Sequence, residues 1–140
     1  MKLNDYDMTD HPKLKIFLVD DDALFLKNEE LELNINNEFA IETFATGELC
    51  MQHLSKNPDV IIIDYWLNGI NTEAMTGEQT LEKIKRYNSN IPVVIHSGQE
   101  EIKLAVNCMH QRAFDYVVKS KTGIGQLRKI LNTIQQIIIL

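Results

Sequence analysis

Positive charge is scarce in this chain: 14 lysines and arginines stand against 20 aspartates and glutamates, a formal net charge of -6. Phosphate backbones and anionic lipid surfaces are gripped by clustered Lys and Arg, so this balance argues against direct binding to nucleic acid or membrane and favours cationic guests. Cysteine is nearly absent. The two present, Cys50 and Cys108, lie far apart and form no CxxC or Cys/His ligand spacing, and both read as small buried thiols. No apolar run follows a basic start and none is long enough to span a bilayer, so neither signal peptide nor membrane anchor is expected and a reducing cytoplasm fits best. Repeats of solenoid length, low-complexity tracts and Gly/Ser linkers are missing too, which leaves no natural point of division.

What remains is the balance of a folded domain. Apolar residues make up 44% and charged residues 24% of 140 residues, enough to bury a single core without staples. Residues 1–13 are polar, carry Asp5, Asp7 and Asp10, and show no apolar period; they read as a flexible leader to a domain over 14–140. From Leu14 onward, short runs rich in Val, Ile and Phe alternate with amphipathic stretches. The runs Lys15–Val19, Phe39–Phe44, Val60–Ile63, Pro92–His96 and Asp115–Val118 are expected strands, three of them almost continuously apolar, as parallel strands covered on both faces are. Helices are expected at Ala23–Asn34, Gly47–Leu54, Thr76–Tyr87, Gln99–Met109 and Ile124–Leu140. Right-handed crossovers turn such a pattern into an α/β doubly wound parallel sheet, whose ligands sit outside the carboxyl ends of the strands.

Those ends carry the chemistry. The first strand runs into Asp20-Asp21-Asp22, the third into Asp64, the fourth into Ser97-Gly98 and the fifth into Lys119. Three carboxylates on one rim would repel one another unless a cation sat among them, and an all-oxygen set suits a hard ion such as Mg2+. Lys119 offers a compact positive charge and Ser97 a hydroxyl, both suited to oxygens of a phosphoryl group carried on Asp64. Simpler roles fit the neighbours. Asp22, just before Ala23, reads as a helix N-cap. His96 points away from the side of Ser97 by strand alternation and reads as a packed or capping residue. His11, His53 and His110 have no ligand spacing. Leu127, Ile130, Leu131, Ile134 and Ile138 form the core stripe of the last helix, and the apolar end Ile137–Leu140 reads as an interface or a cut chain.

An acidic pair after strand one, Asp after strand three, Ser after strand four and Lys after strand five, in this order, resembles the receiver domain of two-component response regulators over about Leu14 to Gln136. The resemblance implies a flavodoxin-like (βα)5 fold with strand order 2-1-3-4-5. It implies Asp64 as phosphoacceptor, Asp21 and Asp64 as direct Mg2+ ligands, Asp20 as an outer one, and the main-chain carbonyl of Trp66 as a further ligand. It also implies Ser97 as switch hydroxyl, Gly98 as the small residue whose amide faces the phosphoryl group, Lys119 as its cation and Tyr116 as switch aromatic.

The implied partners are a sensor histidine kinase or phosphotransfer protein and a downstream protein target of unknown identity, with a homodimer through helix 4, strand 5 and helix 5 as a further expectation. Such a domain catalyses only its own phosphorylation and slow dephosphorylation and is not an ordinary enzyme. Two alternatives accompany this reading. One is a degenerate receiver that binds partners without phosphorylation; the other is an aspartyl-phosphate phosphatase, which wants an acid where Trp66 stands. The chain departs from the family twice. Lys119 is followed by Ser120 rather than proline, so a trans bond is expected there, and residues 68–76 form a longer loop beside the pocket.

Overall fold

The computed structural model describes residues 12–98 and 102–139. The leader over residues 1–11 with His11, the helix start at Gln99, the side chain of Ile139 and all of Leu140 lie outside the described residues. Five parallel strands, β1 (Leu14–Val19), β2 (Phe39–Phe44), β3 (Val60–Ile63), β4 (Val93–Ser97) and β5 (Asp115–Val118), form one sheet in the order β2-β1-β3-β4-β5. The helices are α1 (Ala23–Leu33), α2 (Gly47–Gln52), α3 (Gly77–Tyr87), α4 (Ile102–His110) and α5 (Gly123–Ile139), with a single 3-10 turn at Leu54–Lys56. This is the doubly wound flavodoxin-like fold expected from the sequence.

Strand alternation divides the core into two layers. Phe17, Val19, Ile61, Ile63, Val93 and Ile95 face the side of α2, α3 and α4, with Leu81, Ile84 and Cys108. Ile16, Leu18, Val60, Ile62, Val94 and Val117 face Leu26, Leu33, Leu127, Leu131 and Ile134 of α1 and α5. Every residue of β3 is buried, which is why it shows no polar alternation. Cys50 and Cys108 are buried free thiols; burial pushes them to about 12 and about 11, so neither is reactive at neutral pH. No helix among the described residues is long and apolar enough to cross a membrane.

Helix starts follow capping chemistry. Asp22 accepts from the Phe25 amide at 3.1 Å, so it is the N-cap of α1. Thr76 and Gln79 form a reciprocal capping box that starts α3 one residue later than the apolar pattern suggests. Two boundaries are corrected. The second helix ends at Gln52, because its chain tightens into the 3-10 turn rather than running on to Leu54. The fourth strand includes Ser97, which pairs with Val118, so Ser97 ends the strand instead of following it.

Candidate functional site

Strand order reverses between β1 and β3, and the acids converge at their carboxyl ends. Asp20, Asp21 and Asp64 each offer a carboxylate oxygen, and these oxygens lie within 4.8 Å of one another, an arrangement that could hold a metal ion. Asp20 and Asp64 are buried, while Asp21 is half-buried. Lys119, from the end of β5, places Nζ 2.8 Å from Asp20 Oδ2 and 3.5 Å from Asp64 Oδ2. The other Asp20 oxygen accepts from the Asp22 amide at 2.9 Å, which leaves Asp20 doubly engaged.

The electrostatics leave the site short of positive charge. Burial raises the Asp64 carboxyl above its usual range; Lys119 pulls it back, but Asp20 and Asp21 push it up again, and the net shift is upward. Burial on its own would lower the Lys119 ammonium, but the hydrogen bond to Asp20 and the charges of Asp64, Asp20 and Glu29 outweigh it, so Lys119 is held above its usual range and stays charged. An all-oxygen acidic set with a strained carboxylate has the donor chemistry of a hard divalent cation site.

The lengthened loop is part of this site. Gly69 and Ile70 amides each donate to Asp21 Oδ2 at 3.1 Å, so the loop folds back and fixes one oxygen of that carboxylate. A Cβ on Gly69 would sit 3.2 Å from the same oxygen and 3.9 Å from the Trp66 carbonyl, so the loop packs closely on the Asp21 carboxylate. Met75 further ties the loop down by donating its amide to Glu48 at 2.9 Å.

The other expected residues lie in or just after β3, β4 and β5. Ser97 is fully buried at the end of β4, and its carbonyl accepts from the Lys119 amide at 2.7 Å. Gly98 is exposed, with nothing within 4 Å of an added Cβ. Tyr116 is half-buried against the α4-side core. Trp66 is 45% exposed, so its indole is open to solvent while its main-chain amide bonds Asp64. No cis peptide bond occurs among the described residues, in keeping with Ser120 after Lys119. His96 is packed, 3% exposed, with Nδ1 3.4 Å from the buried Glu29 carboxylate. His53 and His110 join no metal-binding cluster among the described residues.

One network escaped the sequence reading. Tyr65, next to Asp64, donates its hydroxyl to Glu78 Oε2 at 3.0 Å, while Asn107 of α4 and Gln111 just past its end donate to Glu78 Oε1 at 3.0 and 2.6 Å. One carboxylate in the first turn of α3 therefore joins the segment after Asp64 to α4, whose one fully buried side chain is Cys108, and to the turn that follows α4. The bonds from Gln111 and Asn107, partly offset by burial and helped by Tyr65, hold the Glu78 carboxyl below its usual range. A lowered carboxylate contributes stability above its unfolded value, 4.5, and loses it as pH falls through the folded one. Glu78→Gln is expected to lower stability by about 1 kcal/mol near neutral pH, a charged hydrogen bond discounted for partial exposure. In melting curves taken from pH 7 downward, the gap to wild type closes below 4.5.

The comparisons with known proteins agree with this geometry. A family model described as the response regulator receiver domain matches residues 16–132. A protein-glutamate methylesterase/protein-glutamine glutaminase of Clostridium acetobutylicum is 33% identical over 112 residues, covering 76% of this chain and 31% of that protein. A two-component response regulator of Oryza sativa subsp. japonica is 27% identical over 111 residues, covering 79% of this chain and 17% of that protein. The chain thus spans a third or less of the length of these two relatives. Among solved structures, a response regulator receiver domain protein from Clostridium thermocellum superposes with a TM-score of 0.76 at 23% identity, over 90% of this chain and 98% of the other. The receiver domain of NtrX from Brucella abortus gives 0.74 at 21%, over 86% and 98%.

Proposed function

Because the chain belongs to the response regulator receiver domain family, we propose that it accepts a phosphoryl group on Asp64 from a phosphohistidine partner and thereby changes a surface read by another protein. The observation that carries this reading is the meeting of Asp20, Asp21 and Asp64 with the Lys119 ammonium at the carboxyl ends of β1, β3 and β5. Asp21, Asp64 and the Trp66 carbonyl would hold a magnesium ion directly, with Asp20 acting through water. Bound there, the ion neutralises charge on the acids and on phosphoryl oxygens.

The chain's own residues do the rest. An Asp64 carboxylate oxygen bonds to phosphorus while the phosphorus–nitrogen bond of the donor breaks and its electron pair leaves on the imidazole. Lys119 offers its ammonium to a phosphoryl oxygen, Ser97 its hydroxyl to another, and Gly98 leaves room for an approach by main-chain amide. Ser97 moving toward the phosphoryl group would make room for Tyr116 to turn inward. The surface formed by α4, β5 and α5 is where that change would be read, by a downstream protein or a second copy. A sensor kinase or phosphotransfer protein is the donor proposed for this chemistry.

Trp66 is the sole tryptophan and lies two residues past Asp64, so its emission reports on the site directly. Titrated Mg2+ is expected to quench it, with the quench weakened at least about tenfold in Asp21→Asn, since loss of one carboxylate ligand costs a hard-ion site on the order of 1–3 kcal/mol. Fluorescence unmoved by Mg2+ in the wild type, with no change in melting temperature, would favour a binding module that never carries phosphate.

A further inference from the structure

The part of the site without an assigned role is the floor of a cleft of about 520 Å3 between α1 and the turn joining β5 to α5. Lys119 Nζ lies 4.1 Å from the centroid of the Phe25 ring. That ring rests in turn against the His96 imidazole, centroids 5.6 Å apart and tilted by 52°. Behind the imidazole stands Glu29, 4% exposed, with Oε2 3.4 Å from His96 Nδ1. Phe25 and Glu29 are four residues apart on α1 and so share one face. Among the described residues neither ring nitrogen of His96 has a hydrogen-bond partner, so the imidazole does not cap backbone there; it meets the Phe25 ring and the Glu29 carboxylate.

A lysine side chain is long and flexible, and an ammonium that must meet an incoming phosphoryl group needs something to hold it. Little on its own turn does so: Ser120 and Lys121 are exposed, and Ser120 Oγ bonds only sideways to Thr122 Oγ1 at 3.2 Å. Asp20, at 2.8 Å, and Asp64, at 3.5 Å, draw the ammonium toward the acids, and α1 adds a second hold through the Phe25 ring at 4.1 Å. An aromatic face attracts a cation through its quadrupole, and the Glu29 carboxylate behind it adds negative potential that Lys119 also feels.

We propose that Phe25, backed by the buried His96–Glu29 pair, is the positioning element for Lys119, keeping its ammonium over the acidic pocket before any phosphoryl donor arrives. This rests on the reading of Asp64 as acceptor and Lys119 as its cation. Phe25, His96 and Glu29 touch no reacting atom; they act through Lys119. The role also explains why a carboxylate and an imidazole are kept in the interior, where an unpaired one would be costly.

The test has two arms, so that its failure can be told apart from failure of the phosphoacceptor reading. In the first, NMR of the Lys119 side chain in the full chain without donor reads the ring current of Phe25. The Lys119 Hε resonances are expected upfield of those of exposed lysines such as Lys121. They should return to the ordinary position in Phe25→Leu, remain upfield in Phe25→Tyr, and move part of the way in His96→Leu. In the second, the rate of phosphorylation by acetyl phosphate with saturating Mg2+ is expected to fall about fivefold in Phe25→Leu, the effect of losing one cation–π contact. Magnesium affinity should be unchanged and the rate restored in Phe25→Tyr. Lys119 shifts like those of an exposed lysine in wild type, or a wild-type rate in a folded Phe25→Leu, overturns the proposal. Absence of phosphorylation in every variant, with the upfield shifts present, refutes the acceptor reading and leaves the positioning of Lys119 standing.

Discussion

With Asp64 as the proposed phosphoacceptor, Asp64→Asn is expected to remove phosphoryl acceptance and at the same time to raise the melting temperature of the metal-free protein. The first effect follows from the nucleophile: an amide oxygen cannot form the acyl phosphate, and no other carboxylate in the cluster stands at the end of β3. A loss of at least about 10³-fold is expected, the scale on which removal of a covalent nucleophile is felt. The second effect follows from electrostatics. Burial, Asp20 and Asp21 together raise the Asp64 carboxyl despite Lys119, so the fold disfavours its charged form. A carboxylate with a raised folded value costs stability as pH rises through the unfolded value of 3.8, in full above the folded value, and costs nothing well below 3.8, where it is protonated in both states. Lys119 is not orphaned by the change, because its shorter bond is to Asp20 at 2.8 Å. The gain is expected to be about 1–2 kcal/mol, the usual size of relieving one poorly compensated buried group, or roughly 3–8 °C in a chain of this length. Melting curves at pH 7 and pH 3 check it: a clear gap at the first, little at the second. An Asp64→Asn protein less stable than wild type at pH 7 would contradict the charge balance described for the site.

Gly77→Ala is expected to cost more stability than any other single methyl addition at the site. Gly77 opens α3 against the Asp64–Tyr65 segment, and its amide donates to the Tyr65 carbonyl at 2.9 Å. A Cβ there would lie 2.7 Å from Tyr65 Cα and 2.8 Å from Tyr65 O, and closer still to the Asp64 carbonyl. All of these are main-chain atoms, which cannot rotate out of the way. No glycine among the described residues has a positive φ, so the cost is purely one of space. Either the start of α3 or the Asp64–Tyr65 backbone must shift, at about 3 kcal/mol, the upper end of ordinary overpacking. Differential scanning calorimetry should register a fall of roughly 10 °C, and phosphorylation should slow because Asp64 moves with its carbonyl. Gly125→Ala serves as the control, since nothing lies within 4 Å of its added Cβ. Within α5 it should stabilise by about 0.5–1 kcal/mol through helix propensity.

The fold was legible wherever one physical signal dominated. The continuous apolar run Val60–Ile63, short and β-branched and closed by Asp64, read as a strand covered on both sides, and the acids at strand ends followed once the sheet was parallel. What stayed hidden depends on partners distant in sequence or on main-chain groups. The folding of residues 68–76 over Asp21 uses the amides of Gly69 and Ile70, which leave no mark in side-chain periodicity. The Glu78 network joins Tyr65 after β3, Glu78 of α3, Asn107 of α4 and Gln111 past its end, which only the packed helices bring together. The Glu29–His96 pair did leave a trace. Leu26, Glu29 and Leu33 share the buried face of α1, and an acid at a core position asks for a buried partner. The imidazole at the inward position of β4 was that partner, and alternation rightly turned it away from the side of Ser97.

The most direct measurement is the intact mass of the protein after incubation with acetyl phosphate and Mg2+, followed by mapping of the modified peptide. A single added phosphoryl group on the peptide that contains Asp64, absent when the metal is chelated and absent in Asp64→Asn, is the predicted result. No adduct from either acetyl phosphate or phosphoramidate while Mg2+ still quenches Trp66, or an adduct that persists in Asp64→Asn, would contradict it.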